Sequence, residues 1–155
     1  GEPDFYHLLD SAQDVSGYYI PFGYLQSNRS AIGTMHKIIN PEKFIEETRM
    51  RRFPPVEIKV KFVCEDELAH KTEIFSAVFR KTMDGRCSHW ENAEQGDEAV
   101  TLTCGKGNLS SLFLGSCQLG GMVRLGAVKL SDESYLELLD SLFYCTQKPF
   151  SNSDY

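Results

Sequence analysis

"VEIKVKFVC", residues 56–64, decides the fold class. Val56, Ile58, Val60, Phe62 and Cys64 occupy one face of an extended chain, and Glu57, Lys59 and Lys61 occupy the other. A period of two with one apolar and one charged face is the pattern of a half-buried strand. Strands with one wet face belong to antiparallel sheets far more often than to parallel ones, which are covered on both sides.

Working upstream, "INPEKFIEETRMRRFPP" (39–55) changes the period. Asn40 is a good N-cap, Pro41 suits the first helical position, and Glu42 lies in the first turn. Phe44, Ile45 and Thr48 share a face. Arg51 and Arg52 are expected in the last turn, where cations suit the helix dipole, and Pro54-Pro55 stop the helix. Arg49, Arg51 and Arg52 together form the one basic cluster, a candidate contact for a small anion or phosphate. Further upstream, residues 4–13 read as a short helix. "YYIPFGYLQ" (18–26) is aromatic and broken by Pro21 and Gly23, so it reads as an edge strand or a lid.

Downstream, "TEIFSAVFRKT" (72–82) is rich in β-branched and aromatic residues and reads as a strand, with a short helix as the alternative. "MDGRCSHWENAEQGDE" (83–98) lacks either period and reads as a long loop, a place where function concentrates. "AVTLTC" (99–104) alternates as a strand. "GKGN" (105–108) reads as a turn, and "LSSLFLGSC" and "GMVRLGAVKL" read as strands around Gly120-Gly121. The last element is a helix capped at Ser131, with Leu138, Leu142 and Cys145 on its buried stripe.

Without a repeating strand–helix alternation, a doubly wound parallel sheet is not expected. The expected fold is α+β in two layers: a mainly antiparallel sheet of about five strands, with N-terminal helices and a C-terminal helix on one face. A β-sandwich flanked by helices is the alternative. The chain of 155 residues fits one domain over 1–148, followed by a polar tail over 149–155.

A net charge of −6 argues against a duplex nucleic-acid partner, which needs a dense basic face. The absence of an apolar run of about 20 residues argues against a membrane span, and no membrane partner is expected. The five cysteines are odd in number and irregularly spaced, unlike a secreted disulfide framework, so an intracellular setting is expected. The sequons Asn28-Arg29-Ser30 and Asn108-Leu109-Ser110 keep a secreted, disulfide-bonded ligand- or receptor-binding domain as the alternative.

Strand and helix phase places Cys64, Cys104 and Cys145 in the core, where a thiol behaves as a small hydrophobe. That leaves Cys87 and His89 short of the partners that a zinc site or a cysteine nucleophile requires. Neither a metal nor a cofactor is expected, and a small cysteine- or zinc-dependent enzyme is the last alternative. The remaining signal is aromatic. Trp90, with His89, Cys87 and Glu91, lies in the long polar loop, and Tyr18, Tyr19, Phe22 and Tyr24 cluster upstream. Such residues are favoured at binding hot spots. The sequence alone therefore points to a non-catalytic protein-interaction domain, part of a larger protein, that contacts a protein partner through these aromatic surfaces.

Overall fold

The alternation at 56–64 becomes strand β1, Ile58–Asp66, in the computed structural model, which describes residues 36–66 and 69–145. Every second residue from Ile58 to Cys64 is buried. Strand β2, Lys71–Lys81, returns antiparallel along it, and strand β3, Ser88–Ala93, pairs antiparallel with β2. Strand β4, Val100–Gly105, then lies parallel to the free side of β1 and sets Cys64 opposite Cys104. Strand β5, Val128–Leu130, closes the order β3-β2-β1-β4-β5 antiparallel to β4.

Helix α1, Pro41–Glu47, is capped as its sequence predicts: the Lys43 N–H donates to Asn40 Oδ1 at 2.9 Å. It is shorter than the spacing suggested. The Thr48 hydroxyl turns back to donate to the Phe44 carbonyl at 2.6 Å, and the Thr48 carbonyl accepts from Trp90 Nε1 at 3.1 Å. The helix ends there, so Arg51 and Arg52 lie beyond it and not in its last turn. Phe53 instead bridges backbone to backbone with Ser88.

Three expectations are corrected. Residues 83–98 are not one long loop, because Ser88–Ala93 is a strand, joined to β2 by a turn at Asp84-Gly85. Residues 106–124 are not two strands but helices: α2, Lys106–Phe113, and α3, Leu119–Arg124, which contains Gly120-Gly121. Leu109, Leu112 and Phe113 recur at helical spacing and are all buried. Finally, the last helix begins with a 3₁₀ turn at Glu133–Tyr135, capped by Asp132, and continues as α4, Leu136–Phe143. Its buried residues are Leu139, Leu142 and Phe143, and it stops short of Cys145, which is exposed. The expected N-terminal helix over 4–13, the aromatic segment with Tyr18, Tyr19, Phe22 and Tyr24, and the tail over 149–155 lie outside the described residues.

The fold is α+β, with a mostly antiparallel, mixed five-stranded sheet. The inner face of the sheet carries Val60, Phe62, Cys64, Phe75, Ala77, Phe79, Trp90, Leu102 and Cys104, and the helices cover it. Its outer face mixes Lys59, Lys61 and Ser76 with the apolar Val63, Ile74 and Val78, and the turn before β4 partly covers it. There the Ser76 hydroxyl donates to Glu98 Oε1 at 2.7 Å, and the Gly96 N–H donates to the same oxygen at 2.8 Å.

These two bonds, the Ser76 hydroxyl first, hold the Glu98 carboxyl down to about 2. A carboxyl depressed on folding stabilises the native state above its ordinary value of 4.5 and loses that contribution as the pH falls toward 2. Glu98→Gln is therefore expected to be less stable than the parent at neutral pH, with the difference closing between about 4.5 and 2. Urea unfolding across that range checks it. An NMR titration midpoint for Glu98 near 4.5 would contradict it.

Candidate functional site

Sheet and helices meet through a layer of aromatic rings. Phe113, at the end of α2, stands at its centre. Its ring lies 5.3 Å from Phe62, 5.0 Å from Trp90 and 5.8 Å from Phe143. Phe44 of α1 completes the group at 6.0 Å. Edge-on and offset ring contacts at such distances add stabilisation beyond simple burial. Leu119 and Met122 of α3 and Leu139 and Leu142 of α4 fill the rest of the interior.

The polar groups that reach this interior are all engaged. Ser88 Oγ accepts from the Val56 N–H at 2.9 Å, and Ser110 Oγ accepts from the Ile38 N–H at 3.0 Å and donates to the Lys106 carbonyl at 2.8 Å. Among the described residues, every buried side-chain nitrogen and oxygen has a partner. Two thiols, Cys64 and Cys104, face inward from adjoining strands. Burial, followed by the neighbouring Cys64, pushes the Cys104 thiol up to about 12. Burial and then the charge of Glu73 raise that of Cys64.

One rim of the layer opens outward. A cavity of about 260 Å³ lies between the start of α1 and the start of β2, lined by Ile39, Pro41, Lys71, Glu73, Ile74 and Phe75 among others. Ile39 and Ile74 are exposed there. Phe75 lines it and stacks on Phe62 at 5.1 Å, which sets the cavity beside the aromatic layer. Beside it, buried Lys106 joins α2 to the sheet. Its ammonium donates to both Glu73 carboxylate oxygens at 3.1 Å and lies 3.6 Å from Asp66. Burial alone would lower the pKa of Lys106, but the Glu73 hydrogen bonds and the two carboxylates outweigh it and raise it.

The residues expected to form a protein-binding surface are dispersed. Trp90 is 1% exposed and belongs to the interior, because it alternates inward with Ser88 along β3. His89 faces the other way, and its Nδ1–H donates to the Arg51 carbonyl at 2.9 Å. Cys87 is half-buried with its sulfur 3.7 Å from Thr82 Oγ1, and Glu91 is exposed and paired with Arg80 at 2.7 Å. Of the basic cluster, Arg51 turns inward. Its guanidinium donates to the Phe113 carbonyl and lies over Phe53 and Trp90 at 5.2 and 5.8 Å. Burial lowers its pKa, against an opposing effect of Cys145. Arg49 and Arg52 stay exposed. Sequence reasoning missed the cavity residues Ile39, Ile74 and Phe75. Ile74, apolar on the outward phase of a strand, was the available signal.

The family model described as "Sterol carrier protein domain" matches residues 41–152. No curated protein matches the chain. Among solved structures, a conserved Enterococcus faecalis protein described as a probable N-acyltransferase is 12% identical, with 68% of this chain and 25% of that chain covered and a TM-score of 0.53. A GCN5-related N-acetyltransferase from Anabaena variabilis is 18% identical, with 72% and 26% covered and a TM-score of 0.50. Palmitated SCP2L2 from Aedes aegypti is 14% identical, with 66% and 93% covered and a TM-score of 0.42. The chain thus spans about a quarter of the length of the two acyltransferase-type structures, and the likeness to them is one of fold.

Truncating the central ring leaves a cavity that its neighbours cannot close. Phe113→Ala is expected to lower unfolding stability by about 3–5 kcal/mol in urea melts; a loss below about 1 kcal/mol would remove Phe113 from the centre of the layer. The thiols give a separate check. Cys87 and Cys145 are expected to react with a maleimide in the native state, whereas Cys64, Cys104 and Cys117 react only after unfolding. Early labelling of Cys64 or Cys104 would show that the interior opens.

Proposed function

The chain belongs to the sterol carrier protein domain family, and from that premise we propose that it is a non-catalytic domain that takes an apolar, lipid-class ligand between its sheet and its helices. The observation that carries this reading is the cavity at Ile39, Ile74 and Phe75. Exposed Ile39 and Ile74 line it together with Phe75, whose ring stacks on Phe62 of the aromatic interior. Ligand sites are commonly concave and lie between packed layers; here Asn40, Glu42, Lys71 and Glu73 line the cavity beside the apolar Ile39, Pro41, Ile74 and Phe75.

At about 260 Å³ the cavity falls just below the usual range of roughly 300–1,000 Å³ for small-molecule sites. A lipid tail therefore requires Phe75 to swing off Phe62 and the helix layer to give way. The short helices suit that movement: α2, α3 and α4 have eight, six and eight residues and depend on packing for their stability. Lys106, fixed by Glu73 and Asp66, keeps the start of α2 anchored while its far end, at Phe113, moves. The odd number and irregular spacing of the five cysteines support an intracellular setting for this activity.

A second reading is favoured by the filled interior and by the quarter-length coverage of the acyltransferase-type chains. In it, the domain is a ligand-free module that docks against another part of a longer protein, which retains the protein partner expected from the sequence.

Trp90 is the only tryptophan in the chain and lies in the aromatic layer, so its emission separates the two readings. Titration with dehydroergosterol is expected to give saturable energy transfer from Trp90. Saturating sterol or long-chain fatty acid is expected to raise the melting temperature, since a ligand bound to the native state stabilises it by about 2.7 kcal/mol at a hundred times its Kd. Neither transfer nor a thermal shift with either lipid would overturn the lipid reading in favour of the docking module.

A further inference from the structure

The basic cluster of the sequence has a structural setting that the lipid interior does not use. The Phe53–Ser88 bridge brings the chain after α1 against the start of β3. Lys81 lies opposite Ser88 in the sheet, and Arg52 is near enough to Asp84 to lower the pKa of its carboxyl, behind the larger effect of the Thr82 hydroxyl. Residues 48–53 and the β2–β3 turn therefore form one end of the domain. Across 48–53 and 80–91 there are six cationic side chains against two acidic ones. That is a net +4 within a chain of net −6, leaving −10 for the remainder. Glu46 and Glu47 lie one turn further back along α1.

Two methionines stand on this basic end. Met83 is fully exposed at the tip of the turn, and Met50 is 74% exposed beside Arg49 and Arg52. Lys81 and Arg86 are also exposed. Arg51 contributes little outward charge, since it is committed to Phe113.

We propose that this end docks on an anionic membrane surface, with Met50 and Met83 entering the headgroup layer while Arg49, Arg52, Lys81 and Arg86 meet lipid phosphates. The proposal rests on the lipid reading, since a lipid-exchanging domain needs a donor surface. Flexible apolar side chains ringed by Arg and Lys gain at a bilayer interface by burying apolar area beside anionic headgroups. A nucleic acid would meet the cations but would leave both methionines in water. The expectation of no membrane partner rested on the lack of a spanning segment, and no described helix is long and apolar enough to cross a membrane. Peripheral docking requires no such helix.

Vesicle pelleting tests it, using phosphatidylcholine with or without about a third phosphatidylserine. The full chain is expected to pellet with the anionic vesicles, to be released by added salt, and to pellet weakly with the neutral ones. The double variant Arg52→Glu, Arg86→Glu is expected to lower the bound fraction at least about tenfold, and Met83→Asp to lower it as well. Both variants should retain the buried emission of Trp90 and its energy transfer to dehydroergosterol in vesicle-free solution. Equal pelleting on neutral vesicles, no pelleting, or pelleting indifferent to these substitutions would overturn the proposal. So would binding to a labelled oligonucleotide in place of vesicles. Pelleting that responds to the variants while energy transfer is absent would uphold docking and reject the interior lipid site; transfer without pelleting would do the reverse.

Discussion

Phe113 reaches from the end of α2 to the inner face of the sheet and meets a ring from each element around it: Phe62 below, Trp90 at one side, Phe143 of α4 and Phe44 of α1 above. Its own carbonyl accepts from Arg51, whose guanidinium also covers Trp90. Helices of six to eight residues are too short to persist alone in water. Their persistence depends on this ring cluster, and so does the position of the chain between α1 and β1. Whatever enters the interior has to work against these contacts.

The strand order follows from the same layer. Two hairpin returns place β2 and β3 on one side of β1, and the parallel arrival of β4 on the other side brings Cys104 level with Cys64. Helices α2 and α3 then cross the inner face before β5 returns beside β4. Lys106 is placed where that crossing begins, buried among Glu73 and Asp66. A lysine at a helix start opposes the helix dipole; here the two carboxylates offset it and fix α2 to the sheet.

Much of the fold was legible because β1 alternates so cleanly and because Asn40-Pro41 marks a helix start without ambiguity. Other elements were hidden for identifiable reasons. "SHWENA" alternates inward and outward only if Ser88 and Asn92 count as inward positions. Ser88 can take that place because its hydroxyl is satisfied by the backbone at Val56. Short apolar runs such as "LSSLFLG" satisfy strand and helix periods alike, and the tertiary need to cover Phe62 and Leu102 selects the helix. Of the candidate site residues, Trp90 was singled out as unusual but placed in a long polar loop, whereas it lies buried in β3. The exposure of Arg49 and Arg52 was readable from composition, whereas the inward turn of Arg51 depends on a carbonyl 62 residues away. The cavity wall at Phe75 could not be read, since nothing in a strand sequence shows which of its rings adjoins a gap.

We propose that a lipid occupies the space between sheet and helices. Isotope-filtered NOE spectroscopy, with carbon-13-labelled fatty acid and unlabelled protein, addresses it at the level of single atoms. Cross-peaks from the ligand chain to the rings of Phe75, Phe62 and Trp90 are the predicted result. Cross-peaks confined to exposed side chains such as Met83, with the interior ring resonances unmoved, would contradict it.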